Sequence, residues 1–166
     1  MTGRVVFIGA GPGAAYLFTL RGAARLAEAV VVLFDAITDP ALRANVIGRQ
    51  EEELAALAAA GIASEVVPGV TAALAAAAHT QRPLTRRGRG RSVSLTTAMT
   101  ADAGLAAEAR HADTEDFYMA GRQLGRLARQ LQAAGWPADT PVAVVSRAGC
   151  ADAVASEHAL AELAAA

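Results

Sequence analysis

Three small residues and one acid near the start of the chain have the spacing of a dinucleotide-binding site. Gly9, Gly11 and Ala14 match the pattern G-x-G-x-x-G/A directly after an apolar run. Asp35 follows about 20 residues later at the end of VVVLFD, where an acid would bind a ribose. This spacing fits a NAD or FAD oxidoreductase. The alternative for an isolated glycine loop is a plain strand-to-helix turn without a ligand.

The position of the first helix argues against a dinucleotide. In a Rossmann unit the helix begins at the last glycine, so that its amide groups face the pyrophosphate. Here Thr19 is a candidate N-cap, and apolar residues recur at helical spacing only after it. We therefore predict a loop from Gly13 to Thr19, which suits a neutral or cationic ligand better than a pyrophosphate. A helix beginning at Gly13 would support the oxidoreductase instead.

Composition and charge exclude several classes of protein. Alanine accounts for 44 of the 166 residues and aromatic residues for only 4%, so much of the apolar content favours helices without adding bulk to a core. The net charge of -1 gives no general attraction to nucleic acid or to an anionic membrane, and we predict neither as a partner. Basic residues are concentrated locally at Arg82, Arg86, Arg87, Arg89 and Arg91.

The remaining composition favours a cytoplasmic protein without a metal. The single cysteine, Cys150, excludes an intramolecular disulfide. The start of the chain lacks the pattern of a signal peptide, and no apolar run reaches the length of a membrane helix. Because His79, His111 and His158 are scattered without cysteines or acids at ligand spacing, we expect no metal site.

Strands and helices alternate along the sequence, which predicts an α/β fold with a mainly parallel sheet. The predicted strands are Val5–Ile8, Val30–Phe34, Glu65–Val67, Val93–Thr97, Phe117–Met119 and Pro141–Val145. The predicted helices follow Thr19 and cover Glu51–Ala60, Thr71–Ala78 and Leu124–Ala134, while Leu160–Ala166 is an alanine-rich tail. A linker from Arg82 to Gly90 separates an N-terminal domain, 1–84, from a C-terminal domain, 91–166.

Several segments together resemble the tetrapyrrole methylase family, most of all its uroporphyrinogen-III C-methyltransferases and the methylase part of siroheme synthases. The resemblance covers nearly the whole chain. It rests on the order and spacing of IGAGPGAAYLFTLRG, VVLFD, GRQEEEL with AGI, VPGVTAA, RPLTRRG, YMA and TPVAVV.

The resemblance implies two α/β domains with S-adenosylmethionine in the cleft between them, and usually a homodimer. It also implies methylation of a small tetrapyrrole, uroporphyrinogen III, at C2 and C7 to give precorrin-2. A precorrin methylase of cobalamin synthesis is the nearest alternative.

The resemblance also implies roles for individual residues. Asp35 corresponds to the proton acceptor, and the alternative is an acid that only ends a strand. The corresponding cofactor contacts are Pro12, Thr71, Ala72, Met119 and Ala148. For Met119 the alternative is core filling. The arginine cluster is either a solvated linker or a group suited to the eight carboxylates of the substrate. Cys150 is expected to have no role.

The chain departs from the family pattern between Asp35 and Gly48, where it is roughly fifty residues shorter than that pattern. This difference is far too large for ordinary loop variation. The shortening removes the family's VGKR segment, whose lysine is the supposed proton donor, and its GGDP loop. The C-terminal end is also shorter than usual. Three explanations are open: a sequence that joins only parts of a longer enzyme, a deletion, or an inactive relative that kept the fold. We favour the first, because glycine-rich loops and terminal elements are often mobile.

Overall fold

The computed structural model describes residues 3–33, 50–98 and 112–165. The chain forms two compact units. Unit 1 comprises Met1–Ala75 together with Arg147–Asp152, and unit 2 comprises Ala76–Ser146 together with Ala153–Ala166. The predicted domain ranges, 1–84 and 91–166, stay a prediction.

The described residues of unit 1 include two parallel strands and two α-helices. Strand β1 (Arg4–Ile8) pairs with β2 (Ala63–Val67) in parallel. Helix α1 (Leu20–Ala27) follows β1 after a single 3-10 turn, and α2 (Gln50–Ala59) precedes β2. The apolar run of β1 predicts a strand covered on both faces, but Val5 is 36% exposed. The α/β class and the parallel pairing are as predicted.

Helix α1 is held to β2 by charged side chains. Glu65 on β2 accepts a hydrogen bond at 2.8 Å from Nη2 of Arg21 and another at 3.0 Å from Nε of Arg25. Because the Glu65 side chain is only 17% exposed, these bonds satisfy a carboxylate that has little access to water. They fix the position of α1, and thus the end of the loop that precedes it.

Helix α2 ends as the sequence predicts. Gly61 has a φ of +67°, the left-handed conformation that a residue after a helix often adopts. The amide of Ile62 donates to the carbonyl of Leu57 at 2.9 Å, and Gly61 donates to Ala58 at 3.1 Å. These bonds satisfy carbonyls that the helix itself leaves free.

The predicted strand from Val30 to Phe34 is wrong over the part that the structure describes. Residues 30–33 form no strand, and the side chains of Val30 and Leu33 are 98% and 87% exposed. A strand requires a neighbour for its backbone groups. Within the described part of unit 1, β1 and β2 pair only with each other, so residues 30–33 have no ladder to join. Phe34 lies outside the described residues.

Two separate strand pairs are present in the described residues of unit 2. Strand β3 (Val93–Thr97) is parallel to β4 (Thr114–Tyr118), and β5 (Pro141–Ser146) is antiparallel to β6 (Val154–Ala159). Helix α3 (Ala72–His79) contains the boundary between the units. Helices α4 (Leu124–Ala133) and α5 (Leu160–Ala165) complete unit 2.

The core of unit 2 lies around α4 and α5. Its buried members include Leu127, Leu131, Leu160 and Leu163, and Phe117 of β4 packs against them. Strand β6 was not predicted, since VASEHA is largely polar, and α5 was predicted only as a tail. Both elements form because β6 pairs with β5 and the leucines of α5 reach this core. No helix in the described ranges is long and apolar enough to cross a membrane.

Candidate functional site

The glycine loop after β1 is built by close backbone contact. Gly11 and Gly13 have φ values of +76° and +142°, where other residues are strained. A Cβ on Gly9 would collide with the backbone of Gly69, in the segment between β2 and α3. The amide of Gly9 also donates to the carbonyl of Val67 at 2.8 Å. These contacts bring the ends of β1 and β2 together and present the loop beside the small-residue segment.

The loop after β5 packs against this glycine loop within unit 1. The hydroxyl of Tyr16 donates to the carbonyl of Gly149 at 3.4 Å, and Sγ of Cys150 lies 3.7 Å from the carbonyl oxygen of Pro12. A Cβ on Gly13 would overlap that sulfur. Cys150 therefore packs against the glycine loop through a long-range contact, and its expected lack of a functional role stays a prediction.

The structure brings some predicted cofactor contacts into one unit. Pro12, Thr71, Ala72 and Ala148 all belong to unit 1. Ala148 is buried, and the other three are half-buried. A Cβ on the next residue, Gly149, would lie 2.7 Å from Cγ of Pro12, so Ala148 is close to the glycine loop.

The other two predicted site residues lie elsewhere. Met119 belongs to unit 2 and is 66% exposed, so it does not fill a core. The predicted strand Phe117–Met119 is wrong at both ends. Strand β4 begins earlier, at Thr114, and ends one residue earlier, at Tyr118. Asp35 lies outside the described residues.

The residues around the glycine loop carry little net charge. The residues from Gly9 to Leu17 carry no charged side chain. Arg147 forms an ion pair with Asp152 at 3.0 Å, so its charge is balanced within the same loop. Small neutral residues and backbone groups thus surround the glycine loop. A neutral loop is compatible with the positively charged sulfonium of S-adenosylmethionine, but the absence of charge alone does not exclude a pyrophosphate, which backbone amides at a helix N-terminus can bind.

The first α-helix decides against the dinucleotide interpretation. Helix α1 begins at Leu20, and Oγ1 of its N-cap Thr19 accepts a hydrogen bond from the amide of Gly22 at 3.1 Å. The late start is as predicted, although the loop contains a 3-10 turn at Ala15–Leu17. No α-helix begins at Gly13, so the helix amides do not face the glycines as a Rossmann site requires.

Two strand ends have a backbone conformation that the sequence does not reveal. Met119 follows β4 with a φ of +60°, and Arg147 follows β5 with a φ of +55°. Such strained residues concentrate at functional sites. On β4, burial raises the pKa of Asp116 above its ordinary value. Neither Arg147 nor Asp116 was singled out from the sequence, because an arginine or an acid in a strand region carries no local signal of this kind.

Comparison with known proteins agrees with the resemblance. Residues 39–164 match the family Tetrapyrrole (Corrin/Porphyrin) Methylases. The chain is 32% identical to siroheme synthase 1 of Aeromonas hydrophila over 196 residues, which are 87% of this chain and 42% of the relative. It is 30% identical to uroporphyrinogen-III C-methyltransferase of Synechocystis over 203 residues, which are 90% of this chain and 77% of the relative.

Solved structures give the same result. The native uroporphyrin III C-methyl transferase of Thermus thermophilus is similar with a TM-score of 0.86 and 28% identity over 98% of this chain and 86% of that one. The same values hold for the structure described as complexed with S-adenyl homocysteine.

The lengths of the matches confirm the shortening of this chain. The Aeromonas match runs over 196 positions but uses 87% of the 166 residues of this chain, which is about 144 residues. About 52 positions of the match therefore have no counterpart in this chain. The chain also spans only about two fifths of the length of the siroheme synthases that it matches. The family match nevertheless covers well over half of the sequence. This chain therefore belongs to the tetrapyrrole methylase family.

Proposed function

We propose that this chain performs the S-adenosylmethionine-dependent C-methylation of uroporphyrinogen III at C2 and C7, which yields precorrin-2. The observation that carries the proposal is the similarity over 90% of the chain to a protein named for this reaction. It is supported by the late start of α1, which disfavours a dinucleotide. The neighbour described with S-adenyl homocysteine supports the cofactor.

Five residues are proposed to hold the cofactor: Pro12, Thr71, Ala72, Met119 and Ala148. When bound, S-adenosylmethionine supplies a methyl group that is already activated by its sulfonium. The residues of the chain then have to bind and align the reactants, which is a large part of the rate enhancement in such reactions. The contacts of Gly149 and Cys150 with the glycine loop pre-order this half of the site.

Asp35 is proposed as the base that removes a proton from the methylated macrocycle. Its supposed partner, the lysine of the family's VGKR segment, has no counterpart in this sequence, which contains no lysine. Cofactor binding and turnover are therefore separate questions for this chain. An inactive relative that kept the fold is the second candidate, favoured by the roughly 52 unmatched positions.

Calorimetric titration with S-adenosylhomocysteine tests the first half of the proposal. We expect saturable binding with a stoichiometry near one per chain. Titration with NADH serves as the control and should give no signal. If S-adenosylhomocysteine produces no heat under conditions where the chain is folded by circular dichroism, then these 166 residues are not a working enzyme.

A methylation assay tests the second half. Transfer of labelled methyl groups to uroporphyrinogen III, compared with transfer to later precorrins, separates the proposed reaction from the cobalamin alternative. The Asp35→Asn variant should bind S-adenosylhomocysteine like the native chain and lose turnover, by about 100-fold or more if the base role is right. Equal turnover in the variant would refute the base role of Asp35.

A homodimer is also proposed, on the family resemblance alone, and a cytoplasmic location is proposed on the single cysteine. Light scattering coupled to size-exclusion chromatography would show the mass of one chain or of two. Precorrin-2 serves siroheme, cobalamin and haem d1 synthesis alike, so the proposal names the reaction and leaves the pathway open.

A further inference from the structure

An ion pair joins the two ends of the loop after β5. Nε of Arg147 lies 3.0 Å from Oδ1 of Asp152. These two residues are the first and the last of the segment Arg147–Asp152, which belongs to unit 1 although the residues on either side of it belong to unit 2. We call this segment the 147–152 loop. Its two ends are thus held together by a contact between charged side chains.

The backbone of Arg147 has a conformation that arginine rarely adopts. Its φ is +55°, in the left-handed region that glycine enters without strain. A residue stays in this region where its surroundings hold it, and such residues concentrate at functional sites. The described structure holds the Arg147 side chain through the ion pair with Asp152. Because glycine would fit the backbone better, the side chain of the arginine needs an explanation, and this ion pair supplies one.

The middle of the 147–152 loop packs on the glycine loop. The amide of Cys150 donates to the carbonyl of Arg147 at 3.0 Å and closes a turn. Gly149 in this turn has a φ of +84°. A Cβ on Gly149 would lie 2.7 Å from Cγ of Pro12 and also 2.7 Å from Cδ1 of Leu17. The position of the loop ends therefore affects how the turn meets the glycine loop.

Ala148 lies directly between the ion-paired arginine and this close contact. It is 8% exposed and is one of the residues proposed to hold the cofactor. The side chains of Arg147 and Asp152 are by contrast each 59% exposed. An ion pair at the surface can act on the buried Ala148 only through the backbone of the loop that it closes.

We propose that Arg147 and Asp152 are positioning residues for the cofactor. Their ion pair holds the ends of the 147–152 loop, so that Ala148 keeps its place beside the glycine loop. The proposal rests on the proposed function, which assigns Pro12 and Ala148 to S-adenosylmethionine. Neither charged side chain takes part in methyl transfer. One consequence is that salt weakens cofactor binding, because it screens an exposed ion pair.

The thiol of Cys150 reports on the 147–152 loop without any ligand. Cys150 is the single cysteine of the chain, it is half-buried, and its sulfur lies 3.7 Å from the carbonyl oxygen of Pro12. Opening of the loop should expose this sulfur to a thiol reagent such as DTNB. We expect Arg147→Gln and Asp152→Asn each to raise the labelling rate of the folded chain about two- to fivefold. The double variant should be no faster than either single one, since each removes the same ion pair.

Titration with S-adenosylhomocysteine measures the effect on affinity. At about 0.1 M salt both single variants should bind about two- to fivefold more weakly than the native chain. At about 1 M salt the difference should disappear, because the ion pair is then screened in the native chain as well. Arg147→Lys keeps a charge that can pair with Asp152, and it should retain most of the affinity.

Glu28→Gln is the matched control for both measurements. Glu28 is an acid of the same unit, its side chain is 56% exposed, and it pairs with Arg25 at 3.2 Å. The variant should change neither the labelling rate nor the affinity. Circular dichroism verifies that each variant is folded.

The positioning role is overturned by native labelling rates and native affinity in both single variants. It is also overturned by an equal change in Glu28→Gln, or by a change in only one of the two measurements. Failure of the proposed function gives a different result, because the native chain then does not bind S-adenosylhomocysteine at all. In that case the link to the cofactor is refuted, while the labelling rates still decide whether the ion pair holds the loop.

Discussion

At the scale of single residues, the glycine loop is constrained by contact as well as by backbone conformation. Gly9 has no left-handed conformation, yet a side chain there would collide with Gly69. Gly13 has both constraints, a positive φ and the neighbouring sulfur of Cys150. The loop therefore has little room to relax at Gly9. The atoms of Gly9 and Gly69 that face each other are backbone atoms, which cannot rotate away.

Gly9→Ala should disrupt the loop. The new methyl group forces the ends of β1 and β2 apart, and we expect a loss of about 1–3 kcal/mol in the free energy of unfolding. Urea denaturation measures the loss, and titration with S-adenosylhomocysteine should show weaker binding. Gly3→Ala is the matched control before the same strand, since nothing lies within 4 Å of its Cβ. Equal behaviour of the two variants would refute the importance of the Gly9–Gly69 contact.

Glu65 should make stability depend on pH in the acid range. Hydrogen bonds from Arg21 and Arg25 hold the pKa of Glu65 below its ordinary value of 4.5. Since the folded-state pKa lies below the unfolded one, the stabilisation is complete above the unfolded pKa and is lost as pH falls through the folded pKa. Thermal denaturation from pH 7 downward should show this loss in the native chain.

The Glu65→Gln variant removes the titrating group. It should melt at a lower temperature than the native chain at pH 7, and the difference should shrink as the pH falls below the ordinary carboxylate range. Glu28→Gln is the control, because Glu28 pairs with Arg4 and Arg25 but is 56% exposed. A constant difference between Glu65→Gln and the native chain at all pH values would contradict this account.

At the scale of elements, the start of α1 determines which ligand the glycine loop can serve. Thr19 ends the loop by capping the helix, and it has an extended backbone with a ψ of 148°. The loop then holds the positive end of the helix away from the glycines. The side chain of Thr19 thus fixes the start of α1, and this start favours a methyl donor over a dinucleotide as the ligand of the loop.

Thr19→Ala should weaken α1 by about 1 kcal/mol, since the amide of Gly22 loses its acceptor. Thr19→Ser keeps the hydroxyl and should retain most of the stability. Urea denaturation of both variants gives the two free energies. If Thr19→Ala and Thr19→Ser are equally stable, the hydrogen bond does not stabilise the helix start.

At the scale of the whole molecule, the chain contains two compact units with different cores. The described core of unit 2 includes Leu127, Leu131, Leu160 and Leu163 between α4 and α5. Among the described residues of unit 1, the buried apolar side chains are alanines, apart from Val67. The large buried leucines are thus concentrated in unit 2, which is expected to supply the more resistant part of the molecule.

Leu160→Ala should destabilise unit 2 selectively. The Leu160 side chain is 1% exposed, and its truncation costs about 2–5 kcal/mol because a cavity remains. Hydrogen exchange should show a larger loss of protection for the amides of β5 and β6 than for those of β1 and β2. Leu20→Ala is the control, since Leu20 is 90% exposed. An equal loss in all four strands would show that the units unfold together.

Much of the fold and part of the site follow from the sequence because their signals are local. Thr19 and Gly61 mark a helix start and a helix end through their own side chain or backbone, and both positions are as predicted. The apolar runs of β1 and β5 predict strands. The order of the family motifs identifies the family, because it depends on residue types and spacing alone.

Only the tertiary structure decides the features that depend on distant segments. Cys150 reaches Pro12 across 138 positions of the chain, and Gly9 needs Gly69 to explain why it is glycine. The polar strand β6 exists because β5 pairs with it, whereas the apolar residues 30–33 form no strand because no described partner adjoins them. The physical reason is the same throughout: hydrogen-bond pairing and close packing are properties of two segments, and the sequence of one segment does not contain its partner.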